Sequence, residues 1–433
     1  MCVRILITNN TLGLRAGSEL YVFDIALELK KRGHKVVAYS STLGLVSDML
    51  RNIGVPTIDE LSQLTDTPDV IHAHHHMDAA AAGLHFPTVP VVQACHGWAP
   101  WQERPLALAN VRQFVATSEL TREYFVTSGV PSNRISIICN FVDPTRFKYF
   151  EPRPTPLRRA LIIGNSWQRG SVVYQRIEEA CRSQNISLDA FGLGMGSSVS
   201  STEELYSQYG LVFGLGRCAI EGMAMGCAVV LADPNGLAGW VDDEQFDRYK
   251  LGNFGFGLLN QRDVTVDMLL SEIARINRPD VERVTQRVRS ELDVRTAVNR
   301  WISLYESAIE EGPATTSAVI ASASRYVIDL KKHFGKFEHL AHETENKIST
   351  ISQAKDDLIL QKKLLEHEKI ILIDKFDRLF RNSSIRAKIR RIKRRYIYNL
   401  LLMVRSIKLP VASGYRKGLE AMIERQQLKM LND

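Results

Sequence analysis

Short β-branched runs alternate with helix-patterned stretches over the first 311 residues, and this alternation constrains the fold more than any other feature. In the first 150 residues, RILIT (4–8), KVVAYS (35–40), DVIHAH (69–74), VPVVQAC (89–95), QFVATS (113–118) and RISIIC (134–139) read as strands. Between the first two, GSELYVFDIALELKKRG carries Leu20, Phe23, Ala26, Leu27 and Lys30 at helical spacing, with Gly33 as the stop. Such alternation predicts a parallel sheet covered by helices. The patch EPRPTP (151–156) interrupts the pattern, which restarts at ALIIGN (160–165). A helix at about 171–183, then SLDAF, YGLVFG, AVVLAD and several helices carry it to Glu311. Two α/β halves, residues 1–150 and 151–311, imply a cleft between them where ligands of open sheets bind.

The C-terminal third reads differently. Residues 312–324, within EGPATTSAVIASAS, look like a linker, and 325–380 like a long helical segment. There Ile351, Leu358, Leu365, Leu372 and Leu379 recur every seven residues. The companion core position is poor, with Lys355, Lys362 and Lys369 on one choice and Ala354, Gln361, Glu368 and Lys375 on the other. A long helix is expected, and self-association through 325–380 stays open.

Residues 381–433 read as a basic helical tail. Between Lys375 and Lys417 stand 14 Lys or Arg against one acid, Asp377. That +13 within an overall +7 leaves −6 for the rest of the chain, so the basicity belongs to the tail. Ile385, Ile389, Ile392, Tyr396, Leu400, Met403 and Ile407 line one helical stripe, with ten cations and no acid over 381–408. Such a helix suits an anionic membrane surface. A helix docked on the protein is the alternative, followed by a nucleic-acid contact, for which no module is recognisable.

With 45% apolar and 24% charged residues, the chain of 433 matches an ordinary globular protein. No apolar run approaches the ~18 residues that span a bilayer. Strand-like VRILIT follows Met1 almost at once, so no secretory signal is visible. The six cysteines are scattered, without a CxxC pair. This fits a reducing cytosol and argues against zinc knuckles and disulfides, while the basic tail adds the inner membrane face as an expected peripheral site.

Four places could carry chemistry. The loop LGLRAGSE (12–19) brings Gly17, Ser18 and Glu19 to a helix N-terminus, where backbone N–H groups suit an anion. It is not GxGxxG, so a nicotinamide-dependent oxidoreductase lacks its fingerprint. His72, His74, His75 and His76 lie on or next to a strand whose side chains alternate, so they do not converge as metal ligands. No Asp-x-Asp occurs, and neither a metal nor another cofactor is expected. His96, just past a strand, is either a braced loop residue or a group entering the cleft. In GLGRCAIEGMAMGCAVVLADPNG (214–236), Arg217 and Glu221 fall one helical turn apart. They are a local ion pair or part of a site for hydroxyls and phosphates.

Three segments, in order, resemble the GT-B-type glycosyltransferases of family 4. RAGSELYVFDIALELKKRGHKV is similar to their Gly-Gly-x-Glu helix. FVATSELTREYFVTSGVPSNRISIICNFVDPTRF (114–147) resembles their interdomain signature ending in Asn-Gly-Val-Asp-x-x-x-Phe. The 214–236 stretch resembles the second half of their Glu-x7-Glu motif. The resemblance implies two Rossmann-like domains facing across a cleft, followed here by an α-helical C-terminal extension. It implies a retaining, metal-independent transferase that takes a nucleotide-sugar as substrate and passes the sugar to a glycan, lipid or protein acceptor. Glu221 then holds the ribose hydroxyls and His96 sits beside the transferred sugar. GNSWQRG stands where the family has Gly-x-x-x-x-x-Lys-Gly, so Gly164, Asn165 and Arg169, with Gly216 and Arg217, face the diphosphate. Three departures stand out: Phe213 replaces the first Glu, Asn165 an Arg, and Phe141 a Gly. They sustain a rival expectation, a GT-B-fold binding or scaffold protein without turnover.

Overall fold

The computed structural model describes residues 2–98, 100–149, 157–197, 201–260 and 263–379, with 394–397, 399, 422–425 and 427. Seven parallel strands build the first sheet: Arg4–Thr8 (β1), Lys35–Tyr39 (β2), Thr57–Ile58 (β3), Val70–His74 (β4), Val91–Cys95 (β5), Val111–Ala116 (β6) and Ile135–Ile137 (β7). Their order is β3-β2-β1-β4-β5-β6-β7. β4 and β5 are buried along their whole length, as strands covered on both faces must be. In this sheet the two-residue β3 escaped sequence detection, being too short to show a period; in the second sheet Gly236–Trp240 did as well.

The second sheet contains Arg159–Ile163 (β8), Ser187–Phe191 (β9), Leu211–Gly214 (β10), Ala228–Asp233 (β11) and Gly236–Trp240 (β12). Its order is β12-β11-β10-β8-β9, parallel except for the β11–β12 pair. Strand order reverses at β1/β4 in one sheet and at β8/β10 in the other. Crevices for ligands open at such reversals, at the carboxyl ends of the strands.

Two assignments made from sequence need correction. The helix Val294–Glu310, placed in the second half by the boundary at 311, packs in the core of the first. Val298, Trp301 and Tyr305 are fully buried there with Ile5, Val22 and Ile25. The chain crosses between the halves twice, and the two crossings pair: Val142 N–H donates to Leu292 O at 2.9 Å, and Val294 N–H to Val142 O at 2.9 Å. The supposed linker 312–324 is helical from Thr316, the start of a helix running to Leu379. Ala323, Tyr326 and Leu330 pack on the first half, a stripe that the Ser/Ala/Thr-rich composition concealed.

The chain divides into compact units at Lys331/Lys332. In the second unit, the described side chains from Leu340 to Ile373 are all exposed, the seven-residue series Ile351, Leu358, Leu365 and Leu372 among them. Apart from 394–397 and 399, which are helical, the basic stripe 381–408 lies outside the described residues. No described helix is long and apolar enough to cross a membrane.

Candidate functional site

A cleft of about 380 Å³ lies where the carboxyl ends of the two sheets meet. The first turn of the helix that follows β1 contributes Gly17 and Ser18, and the residue after β5 is His96. The loop after β8 supplies Gly164 to Trp167, the loop after β10 Leu215, the helix that follows it Arg217 and Cys218, and β11 ends in Ala232 and Asp233. Gly216 precedes the helix Arg217–Ala224 with φ of +56°, a left-handed conformation that favours glycine. Its N–H donates to Phe254 O at 2.7 Å, which pins the loop. Gly192 is needed for a different reason. A Cβ there would stand 2.1 Å from Gly164 O, so the turn after β9 presses directly on the Gly164 loop.

Of the residues predicted from sequence, Gly17, Ser18, His96, Gly164, Asn165 and Arg217 line this cleft together. Glu19, Arg169, Gly216 and Glu221 do not. Glu19 is buried, accepts from Ser18 Oγ at 2.8 Å, and has its pKa raised by burial. Arg169 is exposed on the turn before the helix Val172–Ser183, where its Nη1 donates to the Tyr174 hydroxyl at 3.4 Å. Asn165 spends its Oδ1 on the Leu193 N–H at 3.2 Å, so it holds the loop rather than adding positive charge. Phe213 is wholly buried on β10 among Trp167, Ile177 and Val230. At that place a phenylalanine completes the core.

Arg217 is the pivot. Its Nη2 donates to Glu221 Oε1 at 3.2 Å, the pairing expected one turn apart, and more closely to Asp24 Oδ2 at 2.7 Å. Asp24 belongs to the helix Gly17–Lys31 of the first half, so this bond joins the halves. The other oxygen of Asp24 accepts from Arg146 Nη1 at 2.6 Å. Burial opposes the charge on Arg217, but Asp24 and Glu221 outweigh it and hold the guanidinium above its usual pKa. Burial raises the pKa of Glu221, which Arg217 and Arg146 offset only in part. The Nη1 of Arg217 is buried without a hydrogen-bond partner. A cleft-lining cation with a spare donor suits an anionic group. Asp24 went unnoticed in the sequence, although an acid spaced four after Leu20 and three before Leu27, in line with the apolar positions, was a visible signal.

His96 is set in a histidine cluster. Its Nε2 lies 2.8 Å from His74 Nδ1, and the Tyr21 ring meets it edge-on at 4.9 Å. Its backbone N–H donates to Glu103 Oε2 at 2.8 Å, and Glu103 Oε1 is 3.5 Å from His75 Nδ1. Burial lowers His96 and His72 to about 3 and His75 to about 4, so these rings are neutral near pH 7. Burial also raises Glu103 to about 7, against the pull of the His96 N–H. Among the described residues, no group of three or more His, Cys, Asp or Glu could hold a metal ion.

Two facing α/β halves with their strand ends turned to a shared cleft define a GT-B fold. The sequence model of Glycosyltransferase Family 4 matches residues 15–146, nearly all of the first half, and no curated protein matches the chain. The solved structure of HepE from Anabaena in complex with UDP and glucose is 15% identical, with a TM-score of 0.52. It covers 70% of this chain and 100% of its own. The HepE complex with UDP gives 15% identity, a TM-score of 0.51 and the same coverage. At this identity the likeness speaks for the fold alone. The chain therefore has the GT-B fold, and its match to the Glycosyltransferase Family 4 model over residues 15–146 supports an enzyme of the glycosyltransferase class.

Proposed function

We propose that the chain transfers a sugar from a nucleotide-sugar, held in the cleft between the halves, to a glycan, lipid or protein acceptor. The observation that carries this is Arg217, a cation lining the cleft with a buried donor nitrogen left over. A departing diphosphate needs positive charge fixed in advance. Arg217 supplies it, backed by N–H groups at the start of its helix. HepE, which shares the fold, was solved with UDP and glucose, and this favours a nucleoside diphosphate as the leaving group. In this reading the diphosphate charge is met without a metal ion, the configuration of the sugar is retained, and no other cofactor takes part. His96 faces the sugar, and Glu221 is the acceptor for the ribose hydroxyls.

The decisive experiment is a screen of nucleotide-sugars for thermal stabilisation of the full chain, followed by assays of hydrolysis and transfer with the best. A second reading, a sugar-nucleotide-binding protein without turnover, is favoured by Glu221 lying outside the cleft lining and by Phe213 in the core. Stabilisation without any turnover would decide for it, and no stabilisation by any donor would sink both.

We further propose that segment 381–408 holds the enzyme at an anionic membrane on its cytoplasmic face, near a lipid-linked acceptor. Each Lys or Arg close to the headgroups adds roughly 1 kcal/mol, and the apolar stripe adds burial. Co-sedimentation with anionic and neutral vesicles tests it. Ile389→Asp should weaken binding even in low salt. Equal partitioning of the full chain and of a chain lacking 375–433 would end the membrane proposal.

A further inference from the structure

The HAHHH run has one member hydrogen-bonded to the cleft histidine. We propose that His74 is a positioning residue: it donates its Nδ1–H to His96 Nε2 and thereby fixes His96 as the tautomer protonated on Nδ1. The importance of this for transfer rests on the function proposed above; the tautomer itself does not.

The geometry is that of a hydrogen bond between ring edges. The nitrogens are 2.8 Å apart, the planes are within 11° of each other, and the centroids are 4.9 Å apart. Rings laid face to face would come to carbon contact, about 3.5–4 Å. Both rings are neutral because burial disfavours their charged forms. A neutral imidazole has one donor and one acceptor, so a single proton occupies the contact.

The far side of His74 decides which ring owns it. His74 Nε2 is buried with no hydrogen-bond partner. Were the proton on that nitrogen, a buried N–H would stand unpaired. With the proton on Nδ1, only a bare lone pair is left, and unpaired acceptors are the better tolerated of the two. His74 therefore donates and His96 Nε2 accepts, which leaves the His96 proton on Nδ1.

The orientation of His74 is in turn enforced. Its ring lies 4.4 Å from that of His72, whose Nδ1 contacts the Tyr305 hydroxyl. Tyr21 abuts it edge-on at 5.5 Å and is itself bonded to Trp301 Nε1 at 3.0 Å. All these anchors are buried in the first half. With Nε2 engaged, Nδ1–H is the group His96 has left to offer. It acts as a donor to a sugar oxygen and not as a base.

The test is the nitrogen NMR of histidine rings in the full chain, labelled with ¹⁵N-histidine, without ligand, and with His96 identified by its loss in His96→Gln. The expected result is a His96 proton on Nδ1 in the native protein. It should shift wholly or partly to Nε2 in His74→Phe, which keeps the ring but removes the donor. His74→Asn, whose amide N–H can stand near the lost Nδ1, should restore it. A native His96 protonated on Nε2 overturns the proposal, as does an unshifted proton in a folded His74→Phe. If His74→Phe does not fold, the native spectrum alone decides. Because no donor is present, failure of the transferase function leaves this result readable. Where a donor is found, transfer should fall in His74→Phe and return in His74→Asn.

Discussion

Asp24 and Arg217, 193 positions apart in the chain, meet at 2.7 Å in a buried ion pair that ties the first half of the molecule to the second. Arg146, on the crossover between the halves, binds the same carboxylate at 2.6 Å. One acid thus holds both halves and their connection. The cleft wall that carries Arg217 is set by a residue outside the cleft.

Removing that acid should be costly. Asp24→Ala takes one carboxylate partner from two guanidinium groups, of which Arg217 is almost wholly buried and keeps Glu221, and Arg146 is about a quarter exposed. Breaking a buried pair costs about 3–5 kcal/mol, toward the lower end here because Arg146 can still reach water and Glu203. Urea unfolding of the variant reads this directly. A change below about 1 kcal/mol would mean that water replaces the carboxylate and the halves are not latched by it.

Glu221 is expected to matter for the nucleotide. Glu221→Ala removes the acceptor for ribose hydroxyls and should weaken nucleoside diphosphate binding by on the order of 1–3 kcal/mol. Calorimetric titration of UDP into both proteins measures it. Equal affinities in two folded proteins would leave Glu221 as a brace for Arg217 and nothing more.

His96 is predicted to serve turnover more than folding. His96→Ala loses one hydrogen bond to His74, worth about 1 kcal/mol net, so the melting temperature should stay within a few degrees. Sugar transfer should fall steeply. A variant that transfers normally, or one that no longer folds, would make this histidine a loop brace.

Glu103 should make stability depend on pH in an unusual sense. Its pKa rises from 4.5 to about 7 on folding, so its contribution is complete below pH 4.5 and is lost as pH climbs through 7. The groups facing it are His75, the His96 N–H and the Cys95 thiol. The neutral histidines act oppositely: lowered from 6.5 to about 3 for His72 and His96 and to about 4 for His75, they stabilise above pH 6.5 and lose this as pH falls. Glu103→Gln isolates the carboxyl. Relative to the native protein, the variant should gain stability as pH rises from about 5 to about 8, by at most about 1.4 kcal/mol for each pH step of one. Denaturation at four pH values checks it, and a constant difference across that range would contradict the assignment.

Much of the fold is legible along the chain. β-branched runs separated by amphipathic stretches specify strands and helices locally, and the cores of all six strands read in the first half lie where those runs stand. The basic tail and the long C-terminal helix are equally plain, because charge and length are properties of the segment itself. Resemblance to the family's motifs located the Gly164 loop, and the one-turn spacing of Arg217 and Glu221 marked the other. Tertiary structure decided the rest. Arg217 takes Asp24 as its nearer partner because the two halves close on each other, which no local period encodes. His74 reaches His96 because β4 and β5 lie side by side, and strand neighbours are chosen by the whole sheet. The return of Val294–Glu310 to the first half has the same cause: its apolar face is satisfied by whichever core has room, and only the packed molecule says which.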